Sequence, residues 1–208
     1  MRKLALSDDI LLSIEKPARY IGGEVNSVMK DKHEVDIRFA MCFPDVYEIG
    51  MSHLGIQILY DMFNRREDVW CERVYSPWLD LDKVMREENI PLFALESQDP
   101  IKEFDFLGIT IQYEMCYTNI LQVLDLSHIP LKSCERTEED PIVIGGGPCP
   151  FWNHHFFYSL CMHQEADRTR SLPHRYRIDQ KIQQSVPDCK YKVLRQSQSD
   201  LLLSVHKI

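Results

Sequence analysis

The chain has 208 residues, 44% of them hydrophobic and 27% charged, with a formal net charge of −8. That length suits one ordinary domain plus an extension, and a composition near the globular average excludes wholesale disorder. The acidic balance gives no general electrostatic reason to bind nucleic acid, because phosphate affinity comes from clustered Lys and Arg.

The opening residues, MRKLALSDDILLSIEK, begin basic but meet Asp8 and Asp9 before any apolar run of signal-peptide length. No stretch approaches the roughly 18 apolar residues of a membrane helix. A cytoplasmic protein with no membrane partner is the expectation, and its seven cysteines then read as reduced thiols rather than a disulfide framework.

In chain order, Val35, Ile37, Phe39 and Met41 alternate as in a strand, and Cys42 with Phe43 extends it into a run buried on both faces. A helix is expected from about Ser52, with Leu54, Ile58, Leu59, Met62 and Phe63 at three- and four-residue spacing on its core face. A strand near Trp70 to Tyr75 and a helix near Leu81 to Glu88 come next. PLFAL at 91–95 and FLGITIQ at 106–112 read as two more strands. The helix after the latter carries Met115, Ile120, Val123, Leu124 and Leu126, and PIVIG at 141–145 reads as the last strand. Strands separated by helices imply an α/β fold, a mostly parallel sheet with helices on both faces.

The character of the chain changes near residue 150. All eight glycines lie at or before Gly147, while residues 151–208 hold five of the eight histidines. Nine Lys and Arg against five Asp and Glu give that tail a balance of +4, against −12 for the first 150 residues. Its apolar periodicity fades, so a poorly structured tail is expected.

In an open parallel sheet, ligands collect beyond the carboxyl ends of the strands, so the post-strand loops are where chemistry is sought. The first, PDVYEIGMSHLG at 44–55, offers Asp45, Glu48, Ser52 and His53, with Gly50 and Gly55 to let backbone approach a ligand. Ser52 also has the position of a helix N-cap. The second, QYEMCYTN at 112–119, opens a helix with Gln112, Tyr113, Glu114, Thr118 and Asn119; such a start can hold an anionic or amide-bearing group on its free N–H groups. The third, GGGPCP, places Gly145, Gly146, Gly147 and Pro148 after a buried strand, where close backbone approach to a ligand and a plain tight turn both fit. None of the three is a GxGxxG fingerprint or a Walker loop with its lysine, so nicotinamide and nucleoside triphosphate readings lose their main support.

EKPARYIGGEVNSV, VDIRFAMCFPDVYEIGMSHLGIQILYDMFN, IPLFALES, FDFLGITIQYEMCYTNILQVLDL and DPIVIGGGPCP, in that order, together resemble the opening domain of a cobalamin-binding-type radical SAM family. The resemblance runs from about Leu11 to Pro150. It implies a Rossmann-like cobalamin-binding domain over 1–150, with cobalamin contacted by the loops at Asp45 to Gly55, Gln112 to Asn119 and Gly145 to Pro148. In full-length members it also implies a partner barrel that binds S-adenosylmethionine and a four-iron four-sulfur cluster.

Two departures qualify it. The barrel's C-x-x-x-C-x-x-C triplet is missing, since the cysteines stand at 42, 71, 116, 134, 149, 161 and 189; the chain alone is not expected to be a competent enzyme. The D-x-H-x-x-G signature of base-off cobalamin proteins is missing too, because His53 is followed directly by Leu54 and Gly55. The resemblance ends abruptly after Pro150, as a frameshifted or truncated product would.

Cys149, His154, His155, Cys161 and His163 could be drawn as a zinc site, but no C-x-x-C or H-x₃₋₅-H pair occurs among them. Cys42 and Cys116 read as small buried hydrophobes rather than catalytic thiols. The alternatives to a cofactor module are a cofactor-free Rossmann-like docking domain and a small nucleotide-binding protein.

Overall fold

The computed structural model describes residues 4–147. The expectations for Pro148 and for a poorly structured tail over 151–208 lie outside the described residues.

Among the described residues four strands form one sheet: β1 (Ile37–Phe43), β2 (Val69–Tyr75), β3 (Phe106–Thr110) and β4 (Ile142–Gly146). Their order is β2-β1-β3-β4, and every pair is parallel. The register sets Phe39 beside Cys71 and Phe106, and Ala40 beside Glu72 and Leu107. Among the described residues five α-helices accompany the sheet: α1 (Asp8–Ser13), α2 (Tyr47–Gly50), α3 (Leu54–Asn64), α4 (Leu79–Glu88) and α5 (Tyr117–Leu126). The expected α/β fold, a parallel sheet with helices on both faces, is what forms.

Handedness follows from this order. The chain moves outward from β1 to β2, then back across β1 to β3 and on to β4, and right-handed crossovers put helices that run in opposite senses on opposite faces. Leu81 and Met85 of α4 and Ile120, Val123 and Leu124 of α5 bury Ala40, Cys42, Val74, Leu107 and Val143, joined by Leu6 and Ile10 from α1 and the residues before it. On the other face Phe63 of α3 stacks on Phe39, which in turn stacks on Phe106.

Three expectations are corrected. PLFAL at 91–95 is no strand: only an isolated antiparallel bridge joins Phe93 to Pro100. The segment turns back at Gln98, whose φ is 67°, with Ala94 N–H donating to Asp99 O and Ile101 N–H to Leu92 O. It brings one amide to the sheet, Leu95 N–H on Arg73 O. The neighbouring ladder position is taken by a side chain, because Arg73 N–H donates to the Glu96 carboxylate at 2.7 Å.

The buried side of α3 is also not the expected one. Ile56 and Tyr60 are buried, with Phe63 half-buried, whereas Leu54, Ile58, Leu59 and Met62 are exposed. Periodicity misleads here because the helix is apolar on both sides. Finally, Met115 lies exposed in a 3-10 turn, Glu114–Cys116, that precedes α5 and so stays off its core face.

Candidate functional site

The direction of the chain reverses at β1, so the topological switch point is the crevice between the carboxyl ends of β1 and β3. β1 ends in a bend: Asp45 N–H donates back to Phe43 O at 2.8 Å, and the Asp45 carbonyl accepts from Ser76 N–H at 3.0 Å, fixing the loop to the end of β2. Across the crevice the Tyr113 hydroxyl donates to the Asp45 carboxylate. That bond pushes the Tyr113 phenol up to about 12. Asn119, in the first turn of α5, donates from Nδ2 to Pro44 O at 2.9 Å. The loops after β1 and β3 are thereby bound to each other.

The glycine segment closes the third side. Ile111 N–H donates to Gly146 O at 2.6 Å. A side chain at Gly147 would put its Cβ 2.4 Å from the Ile111 carbonyl oxygen, and φ there is 117°, so the position demands glycine. Gly146 differs: it is exposed, and a Cβ added there meets nothing within 4 Å. The backbone at Gly146 therefore faces open space at the same sheet edge as Asp45 and Tyr113. Gly145 is half-buried beside it.

Other expected site residues are otherwise engaged. Glu48 pairs with Arg19 at 2.8 Å and Lys16 at 3.4 Å, and the Arg19 hydrogen bond holds its carboxyl below the usual carboxylate range. Gly50 is a packing glycine, with Tyr75 Cε1 2.4 Å from where its Cβ would stand, and at Gly55 an added Cβ would stand 2.9 Å from His53 Cε1. His53, not Ser52, caps α3: Ile56 N–H donates to His53 Nδ1 at 3.3 Å, and the ring rests on Phe43. Ser52 instead donates to Ile49 O at 3.0 Å. Thr118 donates to Met115 O at 3.4 Å, Gln112 donates to the Thr110 hydroxyl, and Glu114 is exposed.

Sequence reasoning missed Ser76, whose buried hydroxyl has no hydrogen-bond partner among the described residues and which adjoins the Asp45 loop. A polar residue directly after a buried strand was its only signal. It also missed two buried ion pairs on β1 and β2. Arg38 meets Glu72 at 2.7 Å, and Arg73 meets Glu96 at 2.7 Å. Burial pushes both carboxyl groups up, while the facing guanidinium groups oppose that shift. Among the described residues no three His, Cys, Asp or Glu side chains converge to hold a metal ion, and no helix is long and apolar enough to cross a membrane.

A segment of 114 residues, 55% of this chain, is 25% identical to the "uncharacterized protein MJ0966" of Methanocaldococcus jannaschii, and it spans 20% of that protein's length. The family described as "Radical SAM proteins, N-terminal" matches residues 55–161. This match begins at Gly55, so the rest of the first loop lies before it, and it continues eleven residues beyond Pro150. It takes in the second and third loops, β2 to β4, and just over half of the chain, and on that ground the protein belongs to the family of radical SAM N-terminal domains.

Proposed function

We propose that this domain is the cofactor-holding module of a longer radical SAM protein and that a cobalamin-type group sits at the β1/β3 switch point. The observation that carries this reading is the meeting of three loops at one sheet edge, with Gly146 backbone open beside the Asp45–Tyr113 contact. The donor set suits a large amide-rich ligand. Asp45 accepts from amide N–H groups, the Tyr113 hydroxyl donates or accepts once released from Asp45, and Gly146 lets a flat group approach the main chain. When bound, such a group supplies alkyl-transfer chemistry at its cobalt.

His53 is held as a cap and stacked on Phe43, so no axial ligand is assigned to it. Asp45, Gly145, Gly146, Tyr113 and the Ser76 hydroxyl are the residues assigned to binding. Gln112, Glu114, Asn119 and Pro148 belong to the rim, and Gly147 shapes it. The barrel that follows in longer members would supply the cluster and S-adenosylmethionine, in a cytoplasmic protein; residues 1–150 form the module and 151–208 an atypical tail.

The test is reconstitution with cobalamin, followed by its absorption spectrum and by thermal melting. Ligand at about 100 times its dissociation constant adds roughly 2.7 kcal/mol to the folded state, and each kcal/mol raises the midpoint of a domain this size by about 2–8 °C. Gly146→Val should abolish the shift without unfolding the protein. An unchanged midpoint in folded wild-type protein would sink the reading in favour of a cofactor-free docking domain.

A further inference from the structure

The switch-point crevice has one fixed wall and one loose one. Asp45 is the fixed side. Its N–H donates to Phe43 O and its carbonyl accepts from Ser76 N–H, while its carboxylate Oδ1 accepts from Val46 N–H at 2.7 Å. Main chain and side chain are thus held from the ends of β1 and β2. The second carboxylate oxygen, Oδ2, is turned across the crevice, where the Tyr113 hydroxyl donates to it.

The Tyr113 side is built differently. Ile111 is buried and tied to Gly146, and Cys116 is buried again. Between them Gln112 and Tyr113 are half-buried, and Glu114 and Met115 are exposed, Met115 by 85%. The segment lies beyond the end of β3, and a 3-10 turn, Glu114–Cys116, carries it into α5. Such turns have poorer hydrogen-bond geometry than an α-helix. α5 is anchored past the segment, by Asn119 on Pro44 O and by buried Ile120. Residues 112–115 therefore hang between a fixed strand and a fixed helix. Beneath them is a thiol: Cys116 is 2% exposed, and its Sγ–H donates to Tyr113 O at 2.8 Å.

We propose that Tyr113 is a bolt across the crevice: its hydroxyl holds the place of a ligand's hydrogen-bond donor on Asp45, and residues 112–115 swing away to admit the ligand. The identity of that ligand rests on the cofactor reading; the opening of the segment does not. A charged acceptor makes the stronger kind of hydrogen bond, so the closed form dominates the empty domain. A ligand that enters only the open form meets a fraction of the molecules, and its association is slowed by that fraction. Loss of the Tyr113 hydroxyl therefore speeds entry, whereas loss of a mere contact group would hasten exit alone.

The test uses the full chain and two readouts. The first needs no ligand: labelling of native protein with iodoacetamide in increasing urea below the unfolding transition, followed peptide by peptide by mass spectrometry. In wild type Cys116 should label faster than fully buried Cys71 and almost independently of urea, as a local opening does, while Cys71 should follow the steep urea dependence of global unfolding. Tyr113→Phe keeps the ring and should speed Cys116 labelling about tenfold or more. The same rate and urea dependence at Cys116 and Cys71, or an unchanged Cys116 rate in Tyr113→Phe, would overturn the bolt. The second readout is stopped-flow quenching of tryptophan fluorescence by cyanocobalamin, where Tyr113→Phe should associate about tenfold faster. Equal association rates in a protein that binds cobalamin would overturn the bolt and leave the cofactor reading standing. A protein that binds none would remove that reading, and the labelling alone then decides whether the segment opens.

Discussion

At the scale of single residues, the most informative contact is Tyr113 on Asp45, because it joins the two loops of the switch point. A phenol raised from 10 to about 12 on folding contributes stability that is fully present below pH 10 and lost as pH rises through about 12. Carbon-13 labelled tyrosine followed by NMR, with the Tyr113 resonance assigned by its loss in Tyr113→Phe, should show that phenol titrating near the upper value in wild type, a range that Tyr47 shares. In Asp45→Asn that titration should move back toward 10; an unmoved resonance would mean that the contact is not formed. Arg73 is the second case. With Glu96 fully buried against it, Arg73→Ala should cost about 3–5 kcal/mol in urea unfolding, since it strands a buried charge. The double change Arg73→Met with Glu96→Leu should cost clearly less than that. Neither buried ion pair, Arg73–Glu96 or Arg38–Glu72, was legible in the sequence, because their members are 23 and 34 residues apart, and charged residues inside an apolar run give no sign of where their partners lie.

At the scale of elements, β1, β3, β4 and α5 could be read because each is apolar where it is buried and the competing pattern is weak. Segment 91–95 could not, because burial of Leu92, Phe93, Ala94 and Leu95 looks the same whether the backbone pairs with a strand or folds back on itself. The reading of α3 failed for the opposite reason: two apolar stripes compete, and only the sheet decides between them. The three loops could be picked out from the rule that ligands gather at carboxyl ends, and Asp45, Tyr113, Gly145 and Gly146 within them, but not which of their neighbours the fold itself engages. Glu48, Gly50, Ser52, His53 and Gly55 spend their chemistry on capping, ion pairing and packing. The neighbouring glycines of β4 and its exit offer a sharp comparison. Gly147→Val should destabilise by more than 1 kcal/mol, from left-handed strain and the clash with Ile111. Gly146→Val should unfold at nearly the wild-type denaturant concentration, and equal midpoints for the two variants would contradict the geometry.

For the whole molecule, the proposed reading makes this chain a cofactor holder and leaves cluster chemistry to residues it does not contain. The purified protein treated anaerobically with iron and sulfide should show no cluster absorption near 400 nm and no reductive cleavage of S-adenosylmethionine, because no C-x-x-x-C-x-x-C triplet occurs among its seven cysteines. Cluster-dependent cleavage by this chain alone would overturn that expectation. The outer edge of β2 carries a further consequence. Its outward backbone groups are answered by side chains and by one loop amide: Lys30 on Val69 O, Asn64 on both Cys71 N–H and O, Glu96 on Arg73 N–H, and Leu95 on Arg73 O. All of those partners lie before β3 in the sequence. A chain emerging from the ribosome can therefore seal that edge before β3 and β4 have been made, since domains fold from the N-terminal side as they are synthesised. The nascent sheet then grows in one direction only, and the hazard of pairing with a neighbouring nascent chain passes to the last strand synthesised.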